Sequence, residues 1–436
     1  MLSSVKNDIK ILYLKLNTWE SDSNYIYDYT SNEIKSINAA ISEATYVVKT
    51  INDSFQNIEQ HADIQTKNGD VLLFHVNNGT NNTYILINPI PNNLKYKEIN
   101  FEYLNNKIWY VLKTVDLENK EKNSNCNEEY YLNENDIIKI GRVKYTVRKI
   151  HLLQKDNNLK GLAPPIPAID IKYKISDLNK GLDPVFNFIV EDFIGYNDIN
   201  EKKINSNEIK NIRCIYCNEY NIIKETDDGD NFLISICECE KKVHLKCLKD
   251  FFKNNLQEKN DDNENIITYV NVMTFNDFEC PDCHTPYPTR FKLKDNDKIF
   301  NLIDINEPND CNYIILESID YKPDDKYCKL IHIIKLIKKN GEPYKIGRDN
   351  DNDIIDRDIS ISRHHAILRF NEEDGNIIIQ NWESKFGTLI LVRKPIKILD
   401  KKIYLQVGKT YIEVCLKDEE EFERKKKGIK ILFYKN

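Results

Sequence analysis

The sequence has no apolar run of about 18 residues, the length that a membrane-spanning helix needs. Its first residues, Met1 to Asp8, also lack the charged and then apolar pattern of a signal peptide. Positive charge is not in excess, because 62 Lys and Arg residues stand against 69 Asp and Glu residues. Phosphate backbones require a basic face. We therefore expect no membrane or nucleic-acid partner and a cytoplasmic localisation, with the nucleus or a cytoskeletal or organelle surface as alternatives.

The length of 436 residues exceeds the roughly 250 residues at which single cores stop growing, so we expect several modules. In the N-terminal segment, residues 1–60, apolar residues from Ile34 to Ile58 alternate steps of three and four, and Thr30 with Glu33 fits a capping box. This pattern predicts an amphipathic helix over about residues 31–59. The helix either docks on a neighbouring domain or forms a coiled-coil seam.

Seven of the eleven cysteines are concentrated in one segment of about 70 residues, at Cys-x-x-Cys-like spacings that favour metal binding over disulfide bonds. With one histidine they provide eight possible ligands: Cys214, Cys217, Cys237, Cys239, His244, Cys247, Cys280 and Cys283. Eight ligands are enough for two tetrahedral zinc ions. Both ions would be structural, because no coordination position is left for an activated water.

The order of these ligands resembles that of RING-CH zinc fingers. The resemblance implies a cross-brace over residues 206–295, in which the first and third ligand pairs share one zinc and the second and fourth pairs share the other. The single residue between Cys237 and Cys239 fits this family, whereas only four residues separate Cys239 from His244, fewer than the family usually has. PHD fingers have the same ligand order, so the subclass stays open.

Three residues match positions that contact a ubiquitin-conjugating enzyme in RING ligases: Ile215, Phe251 and Pro281. The resemblance therefore implies a shallow groove for such an enzyme. The alternative is that Phe251 and Phe252 fill the small core between the two zinc sites. His284 stands where many active RING domains have Arg or Lys, which argues against efficient ligase activity.

A second group of motifs lies in residues 305–418. The chain has Gly347-Arg348 after a β-prone run, then Ser362 followed by Arg363, His364 and His365, and later Gly387-Thr388 before another β-prone run. These motifs resemble the signature of forkhead-associated (FHA) domains. The resemblance implies a β-sandwich whose loops at one end bind a phosphothreonine peptide.

The residue types fit that chemistry. Arg348 can give bidentate hydrogen bonds to a phosphate dianion, a Ser362 hydroxyl can add a donor, and Arg363 can add charge. The family pattern implies that Thr388 also belongs to the phosphopeptide-binding set. It further implies structural roles for Gly347, His365 and Gly387, with the ring of His365 holding the Gly347-Arg348 loop. His364 is expected at the surface.

Phe386 departs from the family pattern. FHA domains usually have Asn at this position, before Gly387-Thr388, where the amide contacts the peptide backbone. A phenyl ring cannot make those hydrogen bonds, so we expect weaker or different selectivity for the residues around the phosphothreonine. The alternative is a domain that keeps the fold and has lost phosphopeptide binding.

Residues 61–152 contain short β-prone runs between Asn, Gly and Pro turns, which predict a β-rich domain. The runs lie at 71–76, 83–87 and 108–112. Residues 131–141 parallel residues 404–412, since each segment has a strand, a polar turn and another strand. This match indicates either convergent hairpins or a degenerate FHA-like sandwich that lacks the phosphate-binding residues.

The predicted fold is therefore mainly β and multidomain. It comprises the helical segment 1–60, the β-rich domain 61–152, an extended linker 153–205, the RING-CH-like finger 206–295, the FHA sandwich 305–418 and a charged C-terminal tail 419–436. The order of finger and FHA domain resembles a protist, ciliate-type family of combined FHA and zinc-finger proteins.

Three functions fit this organisation. The first is a phosphorylation-dependent adaptor that binds a phosphothreonine protein through the FHA domain and a second protein through the zinc finger. The second is a RING-type ubiquitin ligase, which would orient a ubiquitin-conjugating enzyme and use the FHA domain as substrate receptor. The third is a scaffold component of a larger assembly.

Overall fold

The structure is a computed structural model. It describes residues 10–19, 26–29, 31, 33–41, 46–50, 58–60, 69–77, 82–86, 104, 107–112, 129–153, 189–190, 193–194, 213–219, 232–237, 239, 241–259, 269–293, 299–319, 327–382, 384–393, 396–398, 402–418 and 430–432. Most of the predicted linker 153–205 and of the tail 419–436 lies outside these residues. Among the described residues, no helix is long and apolar enough to cross a membrane.

Ten strands form the first part of the described chain, and we call them repeat 1. They are β1 (Lys10–Trp19), β2 (Ile34–Ile41), β3 (Tyr46–Thr50), β4 (Ile58–Gln60), β5 (Gly69–Asn77), β6 (Asn82–Leu86), β7 (Trp109–Val111), β8 (Glu129–Tyr131), β9 (Ile137–Ile140) and β10 (Val143–His151). Strands β5, β6 and β7 confirm the β-prone runs that the sequence indicated.

The cysteine-rich part follows, and we call it the zinc module. It contains β11 (Ile189–Val190), β12 (Phe193–Ile194), β13 (Leu233–Ile234), β14 (Val243–His244), helix α1 (Leu245–Asn254), β15 (Leu256–Lys259), β16 (Val270–Phe275), β17 (Arg290–Leu293) and β18 (Ile299–Asn301). α1 is the one α-helix of eight or more residues in the described ranges, and its buried residues Leu245, Leu248 and Phe252 follow helical spacing.

Ten further strands form repeat 2. They are β19 (Tyr313–Ser318), β20 (Lys329–Lys335), β21 (Tyr344–Gly347), β22 (Ile354–Ile355), β23 (Ala366–Phe370), β24 (Ile377–Asn381), β25 (Thr388–Leu391), β26 (Ile396–Lys397), β27 (Ile403–Val407) and β28 (Thr410–Asp418). A last strand, β29 (Lys430–Leu432), pairs with β2. The described chain is therefore mainly β, as the sequence predicted.

The helix predicted over residues 31–59 is wrong. Its described parts are the strands β2, β3 and β4. β2 pairs with β1 along its whole length, from Trp19↔Ile34 to Leu12↔Ile41. The apolar residues in this segment are mostly Ile and Val, whose branched side chains favour strands once a neighbouring strand is present, so tertiary pairing overrides the helical spacing.

The two repeats have the same strand arrangement, element by element. One 13-stranded sheet contains the order β20-β19-β10-β9-β25-β7-β27-β28-β1-β2. This order is symmetric, because reading it from the other end replaces each strand by its equivalent in the other repeat. Two five-stranded sheets, β22-β21-β23-β24-β8 and β26-β6-β5-β3-β4, complete one sandwich each. Strands β1–β10 thus correspond in order to β19–β28.

The repeats exchange their last three strands. β8, β9 and β10 of repeat 1 pair with β24, β25 and β19 of repeat 2. In return, β26, β27 and β28 pair with β6, β7 and β1. The exchanged hairpins β9–β10 and β27–β28 turn at equivalent left-handed glycines, Gly141 (φ 62°) and Gly408 (φ 55°). The parallel between residues 131–141 and 404–412 therefore reflects equivalent positions in two sandwiches.

The apolar cores of the two sandwiches also combine residues of both repeats, as the strand exchange requires. One cluster packs Ile138, Tyr145 and Val147 of repeat 1 against Ile346 and Leu368 of repeat 2. A second cluster packs Leu12 and Leu14 against Leu405, Ile412 and Val414. Each sandwich therefore buries apolar residues from both repeats. The predicted domain limits, 61–152 and 305–418, had instead assigned the two repeats to separate domains.

The zinc module adds to the edge of the same sheet. β16 pairs antiparallel with β20 over six residues, from Val270↔Ile334 to Phe275↔Lys329. Its apolar core continues across Tyr313, Ile315, Ile331 and Ile333 on the outer face of repeat 2. The zinc module and the repeat 2 sandwich are therefore joined by backbone hydrogen bonds and a common core.

Glu317 lies where the three parts meet. Its carboxylate is buried and contacts Arg148 of β10 at 2.8 Å, Lys329 of β20 at 3.5 Å and the hydroxyl of Thr289 in the zinc module at 2.8 Å. Burial alone would raise the pKa of Glu317, but the charges of Lys329 and Arg148 outweigh it and the pKa is lowered. The group is therefore held as a buried carboxylate with its counter-charges.

We expect Arg148→Met and Glu317→Gln each to lower the free energy of unfolding by about 3 kcal/mol, because Arg148→Met removes one of the two counter-charges of the buried carboxylate and Glu317→Gln removes the carboxylate charge from two buried cations. The double variant should lose less than the sum of the two. Denaturant unfolding followed by circular dichroism measures all three values.

Additive losses would contradict the placement of β10 beside β19. Lys149→Met is the matched control, since its ion pair with Glu307 is exposed, and we expect a loss below about 1 kcal/mol. The lowered pKa of Glu317 also means that its contribution is complete above the ordinary pKa of glutamate and is lost as the pH falls through the folded-state value. The difference between wild type and Glu317→Gln should shrink in acid.

Candidate functional site

Two loops of repeat 2 meet at the end of β21. The Arg348 N–H donates to the Ser362 carbonyl at 3.0 Å, and the Asp349 N–H donates to the Arg363 carbonyl at 3.3 Å. Gly347 permits this approach, since a Cβ at this position would lie 2.1 Å from the Arg363 carbonyl oxygen. The structure therefore brings Arg348 and Ser362, both half-buried, to the same place, with Arg363 exposed beside them.

Asn352 is a further residue of this site that sequence reasoning missed. Its buried side-chain amide donates to the carbonyls of Asp349 and Arg363, both at 2.8 Å. These bonds fix the loop after β21 against the loop before β23. Nothing in the run of Asn and Asp residues at 349–353 distinguishes Asn352 as the one that faces inward.

His365 connects three segments from a fully buried position. Its N–H donates to the Ile346 carbonyl at 2.8 Å. Its Nδ1 accepts from the Ser362 N–H at 3.0 Å, so its Nε2 carries the hydrogen and donates to the Gly387 carbonyl at 2.9 Å. The ring thus holds Ser362 and Gly387, and only its backbone reaches the strand that leads to Gly347.

The third loop of the site precedes β25. The Lys385 N–H donates to the Ser362 Oγ at 2.9 Å. Thr388 is fully buried, and its hydroxyl donates to the Asn381 side chain at 3.1 Å, as does the Ser384 hydroxyl. The structure therefore places Thr388 beneath the loop, as a support for it, and not at the surface where the predicted phosphopeptide contact requires it.

Phe386 and Gly387 face the first repeat. Gly387 has a left-handed backbone (φ 75°), and a Cβ there would lie 2.9 Å from a ring carbon of Tyr29. Phe386 is half-buried, and the Lys385 Nζ lies 5.2 Å from the centre of its ring. The same Nζ is 3.0 Å from the Asp28 carboxylate. Residues of both repeats therefore border this edge of the site.

Acidic groups border the other edge. Asp349, Asp351 and His364 have ligand atoms within 4.8 Å of one another. The ring of His364 also packs on Trp382, with 4.7 Å between the ring centres. His364 is partly exposed, consistent with the surface position expected from the sequence.

The zinc module gathers the eight predicted ligands into two groups, Cys214, Cys217, His244 and Cys247, and Cys237, Cys239, Cys280 and Cys283. These are the pairings that the cross-brace implies. The start of α1 supplies His244 and Cys247, and the turn at 214–217 supplies the facing pair. In the first group, the His244 Nδ1 lies 3.3 Å from the Cys217 Sγ and 3.7 Å from the Cys247 Sγ.

One thiolate separation in the second group matches a tetrahedral zinc ion. A zinc–sulfur bond of about 2.3 Å places two thiolates about 3.8 Å apart, and the Sγ atoms of Cys239 and Cys280 are 3.7 Å apart, whereas those of Cys237 and Cys239 are closer, at 3.1 Å. Burial and the neighbouring Cys214 raise the pKa of Cys247 to about 12, whereas at Cys214 burial is outweighed by hydrogen bonds from the backbone, which lower its pKa. When bound, zinc would tie the two halves of the module together.

The three predicted groove residues lie on this module in different settings. Ile215 and Phe251 are half-buried and pack against its core, whereas Pro281 is exposed. The ring of Phe251 contacts Tyr216, with 4.9 Å between centres. His284 is exposed, and its Nδ1 lies 2.8 Å from the Glu279 carboxylate. Phe251 thus takes part in the small core, the alternative that the sequence left open.

Comparison with known proteins found a match for one part of the chain. A family model described as FHA domain matches residues 344–411. No curated protein and no solved structure matches the chain. The C-terminal part therefore contains an FHA domain, and the match runs from β21 to the β27–β28 hairpin that the structure pairs with repeat 1.

We expect the purified protein to contain two zinc ions per chain, measured by plasma mass spectrometry. Cys217→Ser and Cys239→Ser should each remove one ion, because each breaks a different tetrahedral set. Cys311→Ser is the control, since Cys311 lies outside both groups, and it should keep two ions. Loss of both ions in each single variant, or of neither, would contradict two independent sites.

Proposed function

We propose that this protein is a phosphorylation-dependent adaptor, in which the FHA domain binds a phosphothreonine protein and the zinc module binds a second protein. The observation that carries the proposal is the adjacency of Arg348 and Ser362 on two loops joined by backbone hydrogen bonds. The FHA match over residues 344–411 supports the same role.

The pocket has donors suited to a phosphate dianion. The half-buried guanidinium of Arg348 gives two parallel hydrogen bonds to phosphate oxygens, and the Ser362 hydroxyl donates a third. Arg363, exposed beside them, adds a charge that is screened by salt. His365 and Asn352 contribute by holding the loops, so that little conformational entropy is lost when the phosphate binds.

Phe386 changes how the peptide around the phosphate is recognised. Without the amide of the family pattern, the domain lacks one set of hydrogen bonds to the peptide backbone. The ring instead offers an apolar surface next to the Lys385 ammonium. Phosphate binding then contributes a larger share of the affinity, and discrimination among flanking residues is weaker or different.

In the described residues, repeat 1 has the strand order of repeat 2, but its sequence lacks an arginine at the position equivalent to Arg348. Where β21 ends at Gly347 and continues with Arg348, the equivalent β3 ends at Thr50 and continues with Ile51. Neither residue can give the bidentate bonds of an arginine. The third function considered, a scaffold in an assembly, therefore fits repeat 1 better than phosphate binding does.

A RING-type ubiquitin ligase is the second candidate function. The two cross-braced ligand groups are compatible with it, because RING-like modules have this ligand order, which they share with PHD fingers. The shared sheet between β16 and β20 would then hold the conjugating enzyme at a constant distance from a substrate bound at Arg348. The chemistry would be positioning, with no covalent intermediate on this chain.

Arg348→Ala should abolish the preference for phosphothreonine peptides over their unphosphorylated copies, since it removes the bidentate donors. A phosphothreonine peptide library with an unphosphorylated duplicate, titrated by fluorescence polarisation, measures this preference. Arg369→Ala, a change of an arginine on β23 outside the pocket, is the control and should keep it. The adaptor proposal fails if the wild type shows no preference.

For the ligase, we expect autoubiquitination with at least one of a panel of conjugating enzymes, and at least a tenfold loss on Ile215→Ala. Ubiquitin-chain formation on gels measures the reaction. Lys253→Ala, at the exposed end of α1, is the control. No product with any enzyme of the panel, or product unchanged by Ile215→Ala, would exclude this function and leave the adaptor.

A further inference from the structure

Repeat 1 supports both walls of the phosphate pocket of repeat 2. On one wall, the Arg142 N–H donates to the Ser360 Oγ at 2.9 Å, and its Nε donates to the Asp358 carboxylate at 2.7 Å. On the other wall, Asp28 forms the ion pair with Lys385. Arg142 is located there by the strand exchange, and Asp28 lies between β1 and β2.

Lys385 lies next to the phosphate position through its backbone. Its N–H donates to the Ser362 Oγ, which is the hydroxyl that the proposed function assigns to phosphate. The side chain is about half exposed (54%), and its four-carbon stem allows the ammonium several positions. A dianion at Ser362 would therefore lie within the range of this cation.

The ammonium has a counter-ion in repeat 1. It is held 3.0 Å from the Asp28 carboxylate, whose side chain is only 10% exposed, and above the ring of Phe386. A carboxylate that is largely shielded from water binds a cation more strongly than an exposed one. A phosphate at Ser362 and the Asp28 carboxylate would therefore compete for the same ammonium.

We propose that Asp28 of repeat 1 sets the phosphopeptide affinity of the repeat 2 pocket by holding the Lys385 ammonium in competition with the phosphate. This inference rests on the proposed function. It makes Asp28 a regulating residue that does not touch the ligand, and it makes Lys385 a second cation available to phosphate after Arg348. Repeat 1 therefore takes part in recognition at the pocket of repeat 2.

The test uses the full-length protein and a fluorescent phosphothreonine peptide with alanines on both sides, so that no flanking charge contributes. Asp28→Asn keeps the shape of the side chain and removes its charge. We expect the Kd to fall about fivefold, the scale of one partly shielded ion pair. Lys385→Met should raise the Kd by a similar factor, because the cation is lost.

The double variant of Asp28→Asn and Lys385→Met is the decisive test of the proposal. In the Lys385→Met background, Asp28→Asn should leave the Kd unchanged, because Asp28 acts only through Lys385. Glu307→Gln removes the carboxylate of an exposed ion pair elsewhere and should not change the Kd. An Asp28→Asn variant that binds no more tightly than wild type, or tightens equally without Lys385, overturns the proposal.

The outcomes separate this inference from the proposed function. A wild type that does not distinguish the phosphopeptide from its unphosphorylated copy refutes both. A wild type that does, together with an unchanged Kd for Asp28→Asn, refutes only the role of Asp28. If Asp28→Asn does not fold, as judged by circular dichroism, the Lys385→Met variant, changed at an exposed side chain, provides the test. An unchanged Kd of this variant for the phosphopeptide overturns the proposal.

Discussion

Backbone hydrogen bonding between β7 and β25 is the constraint on which the rest of the architecture depends. The pairing of Leu389 with Val111 and Ile390 with Tyr110 joins the two repeats at the centre of one sheet. Because each of these strands also takes its other neighbour from the opposite repeat, neither sandwich is complete without residues from both. The two repeats thus form one framework, although their motifs lie far apart in the sequence.

In the proposed adaptor, this shared framework would fix how the two binding modules are placed relative to each other. Modules connected by flexible linkers search space independently, and the linker sets their effective concentration. Here the zinc module continues the sheet through β16 and shares its core with β19 and β20. The buried Glu317 carboxylate joins the same elements by charge. Two bound partners would therefore be held at a constant distance and orientation.

The sequence allowed the candidate sites to be predicted better than the fold. Metal ligands and the Gly347-Arg348 and Ser362 motifs are recognisable because coordination and phosphate chemistry restrict the residue types and their spacing. The N-terminal helix was wrong, because a spacing of three and four is also compatible with strands when the pairing partner is distant in sequence. Thr388 was predicted to bind the phosphopeptide, and in the structure its buried hydroxyl donates to the Asn381 side chain.

By itself, the sequence predicted which residues have the chemistry to bind phosphate and metal, and that the chain is mainly β. Only the tertiary structure decided which hairpin completes which sandwich. Hairpins β9–β10 and β27–β28 have the same pattern and the same glycine turn, so local preferences cannot distinguish their positions. The choice depends on non-local contacts such as Arg148 with Glu317, which exist only once distant strands lie side by side.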